Sequence, residues 1–130
     1  MAESPVSACH HVAICVNDAE AAKQFYGEAI GLEEIQRPSE ITIAGAWYRL
    51  GSSELHVFEA EGFQPPASAS FPPHLALRSE DFDASVEQLR AAKVKIDFGP
   101  AQDDLGTWRV VVRDPTGNVV EVTDAPLIPD

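Results

Sequence analysis

The chain repeats itself. His11-Val12-Ala13-Ile14 returns as His74-Leu75-Ala76-Leu77 about 63 residues later, and a repeat of that size limits the possible folds more than any other feature of the sequence. In each copy an Asp (Asp18, Asp81) follows the His by seven positions and opens a helical pattern. Gly45-Ala46-Trp47 is matched by Gly106-Thr107-Trp108. Each copy closes on a similar stretch, Leu55-His56-Val57-Phe58-Glu59-Ala60 and Val120-Glu121-Val122-Thr123-Asp124-Ala125. The separation is larger for this last match, which calls for a longer final hairpin in the second copy. Three matches in one order point to a duplicated module.

The module can be read from its periodicities. Residues 10–16 alternate and are rich in Val and Ile, as a strand requires. Residues 18–30 carry Ala22, Phe25, Tyr26, Ala29 and Ile30 at helical spacing. Asn17 or Asp18 suits the helix start and Gly31 its stop. Strands then fit near 33–37, 41–50 and 54–59. The second copy has a strand at 74–78 and a helix near 81–93 with Phe82, Val86 and Leu89 as its inner stripe. Strands follow near 95–98, 107–113 and 118–124, the last two joined by a type I turn at Asp114-Pro115-Thr116-Gly117. Each module is strand, helix, three strands. The expected class is α+β, with two βαβββ modules over about 9–60 and 74–125. The stretch 61–73, with Pro65, Pro66, Pro72 and Pro73, reads as an extended linker.

Composition bounds the rest. With 130 residues, 45% of them hydrophobic, a single domain is expected, because each half alone would be marginal. The formal net charge of −12 argues against nucleic acid and against anionic membrane surfaces. It leaves a small-molecule substrate open. Met1 to Val6 is acidic and contains Pro5, unlike a signal peptide, and no apolar run reaches the roughly 20 residues of a membrane span. Cys9 and Cys15 on one strand lie about 20 Å apart, too far to bridge. They read as free thiols of a reducing, cytoplasmic setting.

Strand parity then selects four residues. Val12, Ile14 and Val16 share the face that packs on the helix, so His11 lies on the other face. By the same alternation His74 opposes Leu75 and Leu77, His56 opposes Leu55 and Val57, and Glu121 opposes Val120 and Val122. A lone strand histidine is ordinarily solvated or hydrogen-bonded, and His10, whose parity matches Val12, is read that way. The four together differ, because pseudo-twofold packing of the modules would bring them around one point. Imidazole and carboxylate donors suit Zn, Ni, Fe, Mn or Co. A bound ion would also offset the cost of burying Glu121 as a charge. Trp47, Phe58 and Trp108 are candidates to line a pocket, with core packing as the alternative. Arg49 shares a face with Trp47 and Arg78 with His74, and either could hold an anion.

These residues resemble the vicinal oxygen chelate superfamily, which includes glyoxalase I, fosfomycin and bleomycin resistance proteins, methylmalonyl-CoA epimerase and extradiol dioxygenases. The resemblance runs over about residues 9–125. It is carried by His10-His11-Val12-Ala13-Ile14, Phe25-Tyr26 with Gly31-Leu32, Leu55-His56-Val57-Phe58, Pro73-His74-Leu75-Ala76-Leu77, and Asp114-Pro115-Thr116-Gly117-Asn118 with Glu121. It implies paired modules forming a cupped mixed sheet around a central divalent metal ion held by His11, His56, His74 and Glu121. One position departs: the glyoxalase I pattern often has Glu or Gln where this chain has His56.

The implied activity is that of a glyoxalase I-like lyase or isomerase, acting on a small substrate chelated through neighbouring oxygens. The metal is then a Lewis acid and Glu121 the general base. Extradiol ring cleavage is an alternative only if His56 stays off the metal, since catecholate and dioxygen need three open positions. Thiol transfer and epimerisation use related ligand sets. Drug binding without catalysis is a further alternative, although bleomycin-resistance-type relatives lack the metal ligands. The resemblance also implies a homodimer, with sites often built across its interface.

Overall fold

Each half of the chain builds the same unit. The computed structural model describes residues 4–66 and 72–127. The first half runs β1 (His11–Val16), α1 (Ala19–Lys23) with a π-helical continuation (Gln24–Ala29), β2 (Glu34–Ile35), β3 (Gly45–Leu50) and β4 (Ser53–Glu59). The second runs β5 (His74–Arg78), α2 (Phe82–Ala91), β6 (Ile96–Gln102), β7 (Trp108–Arg113) and β8 (Val119–Thr123). The strands form two four-stranded mixed sheets, ordered β1-β4-β3-β2 and β5-β8-β7-β6. In each, the first strand pairs in parallel with the last, and the last three strands pair antiparallel. This is the duplicated βαβββ module. Of the linker expected over 61–73, residues 67–71 lie outside the described residues.

The repeated aspartates have one job. Asp18 accepts from the Ala21 backbone N–H at 3.1 Å, and Asp81 from that of Ala84 at 3.1 Å. Each satisfies an orphan donor of the first helical turn. The first helix ends as expected at Gly31, with φ +87° and the Leu32 N–H returning to the Tyr26 carbonyl at 2.9 Å. Its widening into a π-helix was not legible in the sequence, because Phe25, Tyr26 and Ala29 are buried in either geometry. The stripe on α2 is buried as expected, at Phe82, Val86 and Leu89.

One core draws on both modules, including Val16, Tyr26 and Leu55 from the first and Leu89, Val110 and Val120 from the second. The modules are clasped at the predicted turn. The Gly117 N–H bonds the Asp114 carbonyl at 2.9 Å, closing the turn. The buried Asp114 side chain accepts from the backbone N–H groups of Thr116, Gly117 and Asn118. Its other oxygen accepts from the Tyr26 hydroxyl at 2.7 Å. Burial first, and then the Asp114 charge, hold the Tyr26 phenol far above its ordinary pKa. The Asn118 amide donates to both Asp114 and the Cys15 carbonyl of the first module, each at 2.8 Å.

One expectation holds and another changes. The final hairpin is longer in the second module, as foreseen: the last pairs are Leu50–Ser53 in the first and Arg113–Val119 in the second. The match of Trp47 with Trp108, however, is not a structural one. Trp47 lies across from His56, but Val111, not Trp108, lies across from Glu121. A self-contained loop displaces the tryptophan, with the Asp103 N–H bonding the Thr107 carbonyl at 2.9 Å. Boundaries also shift. β6 extends to Gln102 through two register breaks around Phe98, as bulges near a proline allow, while β2 shrinks to two residues. No helix among the described residues is long and apolar enough to cross a membrane.

Candidate metal centre

Leu55 and Val57 are sunk in the core, so alternation places His56 on the free face of the first sheet. The pairing aligns Ala13, His56 and Trp47 in one row, and His11, Glu54 and Arg49 in the next row of the same face, two residues away. Three rings stack as a result. Trp47 and His56 lie 3.6 Å apart at 2° between planes, and His56 and His11 4.1 Å apart at 12°. His56 Nε2 lies 2.8 Å from Glu54 Oε1. A carboxylate only accepts, so Nε2 carries a proton toward Glu54. This bond is the main reason why the Glu54 carboxyl lies below the usual range. His11 Nδ1 lies 2.9 Å from His10 Nδ1, so one of the two rings donates and the other accepts, and His11 Nε2 has a free lone pair when His11 is the donor. His10, assigned no role from sequence, thus touches a candidate ligand.

The second sheet is built on the same parity. Val120 and Val122 are buried, and Glu121 lies on the free face across from Ala76 and Val111. His74 opens β5, and its Nδ1 donates to the Pro72 carbonyl at 2.9 Å. That bond sets the tautomer and leaves Nε2 as the free nitrogen. Glu121 Oε1 accepts from Arg109 Nη1 at 3.0 Å, while Arg109 Nη2 is bonded to Asp103. Thr107, through its side chain and backbone, and then Arg109 hold the Asp103 carboxyl far below its usual pKa. Asp103, followed by Glu121, pushes the Arg109 guanidinium higher still. Arg109 Nε is buried without a partner among the described residues. His74, Glu121 and Arg109 line a cavity of about 530 Å³ walled by Phe98, Val111 and Val119. Sequence reasoning missed Arg109, although parity held the signal: with Val110 and Val112 in the core, Arg109 falls on the Glu121 face.

The Glyoxalase/Bleomycin resistance protein/Dioxygenase superfamily profile matches residues 8–122. The chain belongs to this superfamily. Its structure resembles that of a protein assigned to the glyoxalase family from Bacillus anthracis, with 29% identity and a TM-score of 0.77 over 94% of this chain and 98% of that one. A lactoylglutathione lyase from Agrobacterium tumefaciens is 25% identical, with a TM-score of 0.68 over 92% of this chain and 94% of that one. A glyoxalase/dioxygenase from Nostoc punctiforme shares the fold at 24% identity, with a TM-score of 0.77 over 98% and 100% of the two chains. No curated protein matches the sequence significantly.

Members of the superfamily bind small molecules and generally use divalent metals. Here the four candidate ligands fall into two pairs, His11 with His56 and His74 with Glu121. Among the described residues no group of three or more His, Cys, Asp and Glu is placed to hold an ion. The expectation that four ligands meet around one point is therefore not met within a single chain. The reason lies in the packing, because the modules join through their helix-side faces. Val12, Ile14, Tyr26, Leu75 and Val120 line one cavity between them. The donor types, imidazole and carboxylate, are those of a divalent-metal site, but the His11 and His56 rings lie nearly parallel, and as placed they do not aim their nitrogens at one point.

The other candidates divide by face. Phe58 and Trp47 share the His56 face. Trp108 has the parity of Val110 and Val112 and lies 6.3 Å from the Phe82 ring, on the helix side and away from Glu121. Arg49 is paired with Glu33 at 3.4 Å. Arg78 donates to the Ala125 carbonyl at 3.1 Å and lies 3.9 Å from Glu80. Both arginines are exposed.

Proposed function

We propose that the protein is a divalent-metal-dependent lyase or isomerase of the glyoxalase type. In this reading it works as a homodimer in which the His11–His56 half of one copy meets the His74–Glu121 half of another. The observation that supports it is the split itself. Two sheets of one topology carry complementary donor pairs on their free faces, and neither pair suffices alone. A ligand set of His11, His56, His74 and Glu121 would hold Ni, Zn, Co, Fe or Mn.

When bound, the ion supplies Lewis acidity toward neighbouring oxygens of a small substrate. Glu121 is the base. Arg109 occupies Oε1, which leaves one oxygen for two roles: it would help to hold the ion before substrate binds, and would take the proton from the carbon beside the carbonyl and return it to the adjacent carbon once the substrate oxygens take its place. Arg109 also holds the carboxylate in one orientation, so less order must be gained at the moment of reaction. Trp47 and Phe58 on one sheet, with Phe98, Val111 and Val119 on the other, exclude water from the closed site. The free Cys9 and Cys15 support a cytoplasmic setting.

One observation favours a second reading. His56 Nε2 is engaged by Glu54, and if His56 stays off the metal, the set becomes His11, His74 and Glu121. Two histidines and one carboxylate with open positions suit an extradiol dioxygenase or a thiol transferase.

Metal content of protein purified without a chelating tag, measured together with its mass in solution, tests the proposal. About one ion per chain in a dimer is expected, with turnover of the methylglyoxal–glutathione hemithioacetal on adding Ni, Zn or Co. Oxygen uptake with catechols instead would select the second reading. A metal-free protein that binds a drug-like ligand would replace both with a binding role.

A further inference from the structure

We propose that the cavity over the second sheet takes a flat, uncharged aromatic molecule, two fused rings in size, that donates a hydroxyl or N–H hydrogen bond to Glu121. The inference names the substrate class of the site proposed above. It rests on the reading that the Glu121 face receives the substrate, and not on the ion.

Three observations carry it. The first is a comparison of the modules. The row Ala13, His56, Trp47 of the first sheet corresponds to Ala76, Glu121, Val111 of the second. In the first module the Trp47 indole lies flat on this face, 3.6 Å from the His56 ring and 2° from parallel. In the second module a valine stands at that position. The next row changes in the same direction: Glu54 lies between His11 and Arg49, and Val119 between His74 and Arg113. Losing the indole hollows the face, and losing the carboxylate makes it apolar. The first module shows that a fused ring system fits against such a row.

The second observation is shape. The hollow is the cavity of about 530 Å³ walled by Phe98, Val111 and Val119, within the roughly 300–1,000 Å³ of small-molecule sites. Phe98 is 55% exposed, so most of its ring is open to a partner, and aromatic pairs favour offset or edge-to-face packing.

The third observation is charge. Arg109 is the one cation among the described residues that line the cavity. Both of its Nη atoms are taken, one by Glu121 and one by Asp103. Arg113, two rows along, is held by Asp97 at 2.9 Å. An anionic ligand therefore finds no unpaired cation, and it meets two carboxylates against one guanidinium. What the cavity offers is an acceptor, the Glu121 oxygen that Arg109 leaves. An acceptor beside apolar walls favours a neutral ring with a donor and disfavours a carboxylate. A substrate whose reacting oxygens are attached to an aromatic ring is then favoured over one with a methyl group there.

The experiment uses the whole chain in EDTA, which keeps the ion out of the comparison. Three probes share one ring system: 2-naphthol, 2-methoxynaphthalene and 2-naphthoate. Binding is read from the methyl NMR signals of Val111 and Val119. Saturable shifts of both are expected with 2-naphthol at neutral pH. 2-Methoxynaphthalene, which lacks the donor, should bind about tenfold more weakly, and 2-naphthoate more weakly still. Val111→Trp puts the first module's side chain into the cavity and should abolish binding, read at Val119 in protein whose amide spectrum shows it folded. Phe98→Ala, at an exposed position, should weaken binding about tenfold. Naphthoate binding as tight as that of naphthol overturns the inference, as do unshifted methyls or a Val111→Trp protein that binds undiminished. Methyl shifts that follow dilution of the protein, and not naphthol, assign the cavity to a second copy of the chain and overturn it too. Protein that takes up an ion but no naphthol sinks this inference alone, and protein that binds naphthol but no ion sinks the metal reading alone.

Discussion

The two halves of the chain have one topology and opposite electrostatics. On the first sheet two imidazoles stack under a tryptophan, and the charge that answers them is the carboxylate of Glu54. On the second a carboxylate sits across from an alanine and a valine, and the charge that answers it is the guanidinium of Arg109, itself anchored to Asp103. Equivalent strand positions thus hold His56 in one sheet and Glu121 in the other. Duplication preserved where a side chain points. It did not preserve what holds the side chain there, because the supporting groups come from different places: the same strand for Glu54, the neighbouring strand for Arg109, a loop for Asp103. A site made from one copy of each half combines an imidazole-rich side with a basic carboxylate.

Removing Glu121 breaks this comparison most severely. Glu121→Ala should lower kcat about 10²- to 10⁴-fold and abolish stoichiometric metal, read by steady-state turnover and metal analysis. His56→Ala measures how alike the halves are. If it loses the ion as completely as His74→Ala does, both halves bind; if it keeps the ion, the three-ligand reading is supported. Next comes the clasp that joins the halves. Asp114→Ala leaves the Tyr26 hydroxyl and several N–H groups without their acceptor, and at about 1–3 kcal/mol for an unsatisfied buried group, urea denaturation should report a loss of about 3 kcal/mol. A loss within error would mean that the shared core alone joins the modules.

Acid separates the halves more gently. The folded-state pKa of Asp103 lies far below its usual value, so its stabilising contribution is complete above about pH 4, near the unfolded value, and is lost as pH falls through the folded one. Asp103→Asn should flatten the acid limb of the stability–pH curve and free Arg109 from one of its two carboxylates. An unchanged limb would remove Asp103 from the network. The smallest effect concerns the two tryptophans. Trp47 lies on His56 and Trp108 does not, so Zn addition should change the emission of Trp108→Phe protein but not that of Trp47→Phe protein. The reverse result would restore the sequence match that the register sets aside.

Much of this was legible in the chain. The repeat gives two βαβββ modules, the alternation around His11, His56, His74 and Glu121 gives their face, and Asp18, Asp81 and Asp114-Pro115-Thr116-Gly117 give caps and a turn. These are local signals, set by periods of two and 3.6 residues and by short-range hydrogen bonds. Trp108 marks the limit of such reading, because a word of three residues matched in sequence but a loop shifted its register. Arg109, Glu54 and His10 mark a second limit. A charged residue on a free face is unremarkable until its partner is known, and their partners are Glu121, His56 and His11.

The sequence by itself determined the modules, their order and the side of each sheet that carries chemistry, because those follow from periodicity along one chain. Only the tertiary structure decided that the four candidate ligands separate into two pairs. That separation comes from packing the helix-side faces into one core, clasped by Tyr26 and Asp114 across 88 residues. No local pattern states how two faces, each correctly identified, will be turned toward one another.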